Sequence, residues 1–223
     1  MRLSLSTEAL ISYFRTQCGR LFPDGGDLDG VERAVETALQ RTSHCFARMR
    51  AKYYWDGTSP TFNHLNSDQY TIFLYYLSNS AFRANKLEVA SKAYLLNKAL
   101  HAVDIFYEIA LPDVWGVRHP VGTVLGRAQY ADYFIVYQQC LVGIGLDGRY
   151  PLFRGPAVLF GGSKVVGNCE IGENAWISLG TTVLNEDVPA QMVAAGSSPT
   201  LALRPTRQDI RASLFGISPE TMA

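Results

Sequence analysis

At 223 residues the chain is long enough to bury a substantial core, in one large domain or two small ones. Its 20 Lys and Arg balance its 20 Asp and Glu, which excludes a general basic field for nucleic acid or anionic lipid. No apolar stretch approaches the roughly 18 residues of a membrane span, and the N-terminus lacks the charged-then-apolar layout of a secretory signal, so the expectation is a soluble cytoplasmic protein without membrane or nucleic-acid partners.

In chain order, Leu5–Gln17 reads as a short helix started by Ser6 and closed by Gly19, and the loop Pro23–Asp27 breaks the chain after it. A stronger helix follows: Asp29 and Glu32 make a capping-box pattern, and Val31, Ala34, Val35, Ala38, Leu39, Cys45, Phe46 and Met49 trace one apolar face. Trp55–Pro60 is a turn, and Ser67–Leu77 and Leu87–Val103 read as helices with Asn79–Lys86 between them. Tyr70, Phe73, Tyr75 and Tyr76 fit helix packing better than a ligand cage. Composition then shifts near residue 104, with 5 Gly and 2 Pro before it and 14 Gly and 8 Pro from it onward, so strand and turn replace helix. Cys18, Cys45, Cys140 and Cys169 show no metal-binding spacing and read as buried thiols.

The second half carries a six-residue rhythm. Phe153, Leu159, Val165, Ile171, Ile177 and Val183 are bulky and apolar, and Ala157, Ser163, Cys169, Ala175 and Thr181 recur as small residues in fixed phase. Helices repeat at about 3.6 residues and strands at about 2, whereas a period of about six marks a parallel β-helix, three hexapeptides to a coil. Val124, Tyr130, Val136 and Val142 keep the same step, as do Ile105, Leu111 and Val117, which makes about four coils. The fold class is therefore α+β: a helical domain over residues 1–103, a β-helix over 104–203 and a tail over 204–223 with little core of its own to join. The period leaves the hand of the coil open.

His119 lies at an interruption of this rhythm, where a side chain can leave the stack and face a cleft, and Asp104 precedes it by fifteen residues, about one coil. A carboxylate beside an imidazole orients it and stabilises the imidazolium formed when it takes a proton, which is chemistry suited to activating a hydroxyl or amine. On spacing alone the bland alternatives stand as well: a histidine supporting the turn at Pro120, and an aspartate closing the preceding helix.

Val103-Asp104-Ile105 followed by His119-Pro-Val-Gly-Thr-Val-Leu-Gly126 resembles the catalytic segment of the serine acetyltransferases, as do Arg149-Tyr-Pro151, Lys164–Asn168, Asp187-Val-Pro189 and Ala194-Ala-Gly196 in their spacing. The resemblance covers about residues 68 to 199 and implies a left-handed coil of hexapeptide repeats. It implies direct acetyl transfer from acetyl-CoA to a hydroxyl of serine or a related small polar acceptor, with His119 as general base held by Asp104 and no metal. It implies a CoA arm along Gly143, Gly161, Gly162, Leu179 and Asn185, with Lys164, Arg204, Arg207 or Arg211 near its phosphates. It also implies a homotrimer or a dimer of trimers.

Two positions depart from that pattern, and both concern the acceptor. The family's aspartate before the histidine is Arg118 here, and its Arg-His-Pro is Arg149-Tyr150-Pro151. In the helical domain, His64 and Asp68 fall on two family aspartates, the first replaced and the second kept. Arg118 with Arg149 suggests an acceptor carrying negative charge. Competing readings are a sugar or antibiotic acetyltransferase of the hexapeptide group, a zinc enzyme of the γ-carbonic anhydrase kind, for which His101 and His119 are the nearest candidate ligands, and a non-catalytic scaffold.

Overall fold

The computed structural model describes residues 1–217 and opens with four helices, α1 (Thr7–Leu21), α2 (Val31–Ala47), α3 (Ser67–Arg83) and α4 (Leu87–His101). Ser6 starts α1, its Oγ accepting a hydrogen bond from Ala9 N at 3.2 Å, but the helix runs through Gly19 to Leu21. The capping box expected for α2 is absent: Gly30 precedes it at φ +80°, and Asp29 pairs with Lys86 at 2.6 Å. α3 is buried on every side from Gln69 to Ala81. It continues past Leu77 because Ser78, Asn79 and Ser80, which read as a turn, find partners inside. Ser78 Oγ donates to Tyr75 O, Asn79 Nδ2 to Tyr107 O, and Arg41 donates to Asn79 Oδ1 and Ser80 Oγ.

At the end of α4, Ala102 takes φ +53° and its amide bonds back to Lys98 O, which turns the chain into the first coil. Of the strands, β1 (Arg2–Leu3) and β2 (Thr61–Phe62) form a small parallel pair. The coil holds β3 (Trp115–Val117), β4 (Val124–Leu125), β5 (Phe134–Val136), β6 (Leu141–Gly143), β7 (Leu152–Phe153) and β8 (Ala157–Leu159). It goes on through β9 (Lys164–Val166), β10 (Glu170–Ile171), β11 (Ala175–Ile177), β12 (Thr182–Leu184) and β13 (Met192–Ala195). The first face stacks β3, β5, β8, β11 and β13, the second β4, β6, β9 and β12, and the third β7 and β10, all in parallel.

The six-residue rhythm is the inward-facing set. Val117, Val136, Leu159, Ile177 and Ala194 stand in register on the first face, Val142, Val165 and Val183 on the second, and Phe153 and Ile171 on the third, all buried. Stacked at about 4.8 Å between coils, such residues form a continuous apolar column. Ala157, Ser163, Cys169, Ala175 and Thr181 are buried too. One position slips: Val124 is exposed and Leu125 points inward instead, pairing with Val142, because the stretch after Val117, which turns through Gly122 at φ +76°, is two residues longer than the regular six.

The helices meet the coil through aromatic rings. Trp115 lies edge-on to Tyr75 at 5.2 Å and Tyr76 at 6.3 Å, and both phenols reach across it, Tyr75 Oη to Ile109 O and Tyr76 Oη to Asp113 O. Tyr70, Phe73, Tyr75 and Tyr76 are all buried packing residues. All four cysteines are buried and free.

The chain after residue 203 departs from the expected unanchored tail. β14 (Ala202–Pro205) pairs antiparallel with β13, and α5 (Ile210–Phe215) packs Ile210 and Phe215 into the core. Asn174 Oδ1 accepts from Ile210 N, and Phe215 O from Arg50 N, so this segment clasps the coil to the loop after α2. The last six residues of the expected tail lie outside the described ones. Among the described residues, no helix is long and apolar enough to cross a membrane.

Candidate active site

His119 lies two residues beyond the end of β3 and is exposed, in the left-handed region at φ +49°. A non-glycine residue holds that conformation only when its surroundings fix it. Two contacts do so: His119 N donates to Asp68 Oδ1 at 3.1 Å, and His119 O accepts from Val121 N at 2.7 Å. Asp68 sits in the first turn of α3, whose N-cap is Asn66, so the helical domain reaches over to pin the backbone of the imidazole-bearing residue. Burial raises the Asp68 carboxyl above its ordinary range, while the His119 amide bond and the charges of Arg118 and His119 pull it down. The ring of His119 makes no hydrogen bond or ion pair among the described residues.

The expected contact between Asp104 and His119 is not formed. Asp104 pairs across the coil with Val124, five residues beyond His119, and its two oxygens are taken by α4. Tyr94 Oη donates to Oδ1 at 2.8 Å and Lys98 Nζ to Oδ2 at 2.6 Å. Burial alone would raise the Asp104 carboxyl, but these two donors and the charge of Lys98 outweigh it and hold it low. The reason is the sharp turn at Ala102, which folds Asp104 back under the last turn of the helix it follows. His64 is likewise turned elsewhere, its Nδ1 2.8 Å from Ser4 Oγ and its ring edge-on to Tyr13. Of the two helical-domain candidates, Asp68 alone meets His119.

Arg118 is half-buried, with its guanidinium over the Tyr54 ring at 5.1 Å from the centroid. Tyr54 is buried and its hydroxyl has no hydrogen-bond partner among the described residues. The sequence gives no cue to Tyr54, Tyr94 or Lys98: each enters through a chain reversal, at the Trp55–Pro60 turn or at Ala102.

The corner between the first and second faces makes a column along the coil axis. Gln139 N bonds to Val121 O, Gly162 N to Gln138 O and Gly180 N to Gly161 O, so the turns after β3, β5, β8 and β11 lie one above another. Gly161, Gly162 and Leu179 therefore share an edge with the turn that carries His119. A side chain at Gly161 would collide with Gln138, while Gly162 has φ +76°, which suits glycine. Gln138 Oε1 is buried without a hydrogen-bond partner among the described residues, and Leu179 is exposed. Gly143 and Asn185 sit at the far edge of the second face, where Gly167 N bonds to Gly143 O and Asn185 N to Val166 O. Asn185 Oδ1 accepts from Asn168 N, a corner contact.

Arg149 and Tyr150 lie on the exposed excursion between β6 and β7, with Arg149 paired to Asp147 at 2.6 Å, and among the described residues neither forms a hydrogen bond or ion pair with His119. Arg204 is exposed on β14 and Arg207 is exposed, whereas Arg211 pairs with Glu173 and lies over Tyr133. Lys164 Nζ donates to Gly162 O. Among the described residues no three His, Cys, Asp or Glu side chains gather as a metal site.

No family model matches the chain. It is 34% identical over 109 residues to a serine acetyltransferase of Synechococcus elongatus, a stretch covering 45% of this chain and 43% of that protein, so the chain spans under half the length of this curated relative. Its fold is similar to that of a serine acetyltransferase from Vibrio cholerae, with TM-score 0.70 at 22% identity over 96% of this chain and 85% of the other. It is equally similar to a Brucella abortus serine acetyltransferase solved in complex with coenzyme A, with TM-score 0.70 at 17% identity over 92% and 84%. The chain is thus serine acetyltransferase-like, in sequence over part of its length and in fold over nearly all of it, with a helical domain set on a left-handed β-helix.

Proposed function

We propose that this chain is an acetyltransferase moving acetyl from acetyl-CoA to the hydroxyl of serine or a related small polar acceptor. The observation that carries the reading is the His119 imidazole: exposed, unengaged, and fixed through its backbone at one end of a corner column on a coil like that of the serine acetyltransferases. His119 takes the acceptor's hydroxyl proton as the oxygen attacks the acetyl carbon. The C–O bond of the ester forms, the C–S bond breaks, and the thiolate leaves to recover that proton as CoA-SH. Such a base contributes on the order of 10²–10⁴ in rate.

The column from His119 fits the donor's arm. Gly162 leaves the backbone open, and Gln138, which packs against Gly161, carries a buried, unpartnered Oε1 that suits an amide N–H of pantetheine. Gly143, Asn185 and Arg204 remain in this proposal as outer contacts of the CoA arm. Asp68 acts by holding His119, and no step is routed through Asp104. A homotrimer, or a dimer of trimers, is part of the reading: Val124, Ile144 and Leu184 are exposed on or beside the second face, and Arg149 and Tyr150 need a neighbouring chain to approach a cleft. With acetyl-CoA as donor, the reading keeps the chain in the cytoplasm.

The test is thiol release from acetyl-CoA on adding serine. Release that rises with acceptor and yields the O-acetyl ester supports the proposal. Release on neutral sugars alone moves the chain to the sugar acetyltransferases, and none with any acceptor ends the acetyltransferase reading.

A further inference from the structure

The residue before His119 is cationic. Arg118 is its chain neighbour, is half-buried, and forms no ion pair among the described residues. The Tyr54 ring beneath it fixes the guanidinium plane, and its backbone N bonds to Val136 O, so both ends of the residue are held. Of the carboxylates around this turn, Asp104 holds Tyr94 and Lys98, while Asp68 Oδ1 holds the His119 amide and the Asp68 and Arg118 charges act on each other. A half-buried, pre-oriented guanidinium presents a fork of donors that matches a carboxylate. An ammonium in the same place would meet a fixed positive charge.

Resting on the transfer reading above, we propose that Arg118 binds the acceptor's carboxylate and sets its class: a small hydroxy acid whose carboxylate is required and whose ammonium is dispensable. The bonds made and broken are those of the transfer already described, with the hydroxyl proton passing to His119 and then to the departing thiolate.

The experiment measures acceptor-dependent CoA release with glycerate, serine and ethanolamine, by wild type, Arg118→Lys and Arg118→Met, with melting temperature as a check on folding. Wild type is expected to use glycerate at least as well as serine, and both at least tenfold better than ethanolamine. Arg118→Met lowers kcat/KM for glycerate and serine on the order of 10- to 100-fold through KM, as loss of a charged hydrogen bond does. The ratio of glycerate to ethanolamine collapses, and Arg118→Lys falls between. If Arg118→Met does not fold, the drop in that ratio for Arg118→Lys decides. Use of serine without use of glycerate, or an unchanged ratio in the variants, overturns the role of Arg118 and leaves acetyl transfer standing. Absence of release with all three acceptors overturns the transfer reading itself.

Discussion

Single residues settle how the helices pack on one another, and His101 shows how pH acts where the end of α4 meets α3. Its ring lies edge-on to Tyr70 with Nδ1 2.8 Å from Asn97 Oδ1, and burial pushes its pKa down to about 4. The unfolded chain therefore takes up this proton first as pH falls below about 6.5, the ordinary histidine range, while the folded chain resists until about 4. Stability from this group is complete above about pH 6.5 and declines as pH falls toward about 4. Denaturant midpoints between about pH 7 and 5, where carboxylates stay ionised, are expected to fall for wild type and to fall less for His101→Gln. Equal slopes would show that the ring is not desolvated. At this scale the spacing of Asp104 and His119 was legible in the sequence, but the absence of a contact between them was not. Whether two side chains one coil apart meet depends on the reversal at Ala102 and on the competing reach of Lys98 and Tyr94, neither of which leaves a periodic trace.

Among the elements, those set by a repeating inward side chain were readable and those set by pairwise satisfaction were not. The coil follows from Phe153, Leu159, Val165, Ile171, Ile177 and Val183, because each must stack on its counterpart a coil away. The end of α3 was misread because Ser78, Asn79 and Ser80 look like a turn until Tyr107 O and Arg41 supply partners. α5 was missed for a similar reason: two buried residues, Ile210 and Phe215, are too few to make a periodic signal, yet they dock it. Phe215 is fully buried and edge-on to Tyr133 at 5.2 Å. Phe215→Ala is expected to cost about 3–5 kcal/mol and to lower the melting temperature by roughly 6–20 °C. Calorimetry showing an unchanged transition would mean that α5 does not close the coil. The Arg211–Glu173 pair beside it is an exposed contact and adds little.

Over the whole molecule, a rigid column of turns carries His119 at one end while the first turn of α3 holds that residue from the other domain. This arrangement holds the backbone of His119 without enclosing its ring, as the proposed general base, which must meet two substrates, requires. The coil and the exposed place of His119 at a break in its rhythm could be read from sequence; the pinning by Asp68 and the stacking of Arg118 on Tyr54 could not, because both join segments more than fifty residues apart. The most direct measurement is the rate of acceptor-dependent CoA release by wild type and His119→Ala at saturating acetyl-CoA. The loss expected in the variant is on the order of 10²–10⁴-fold with folding and acetyl-CoA binding retained, and equal rates in the two proteins would contradict the account.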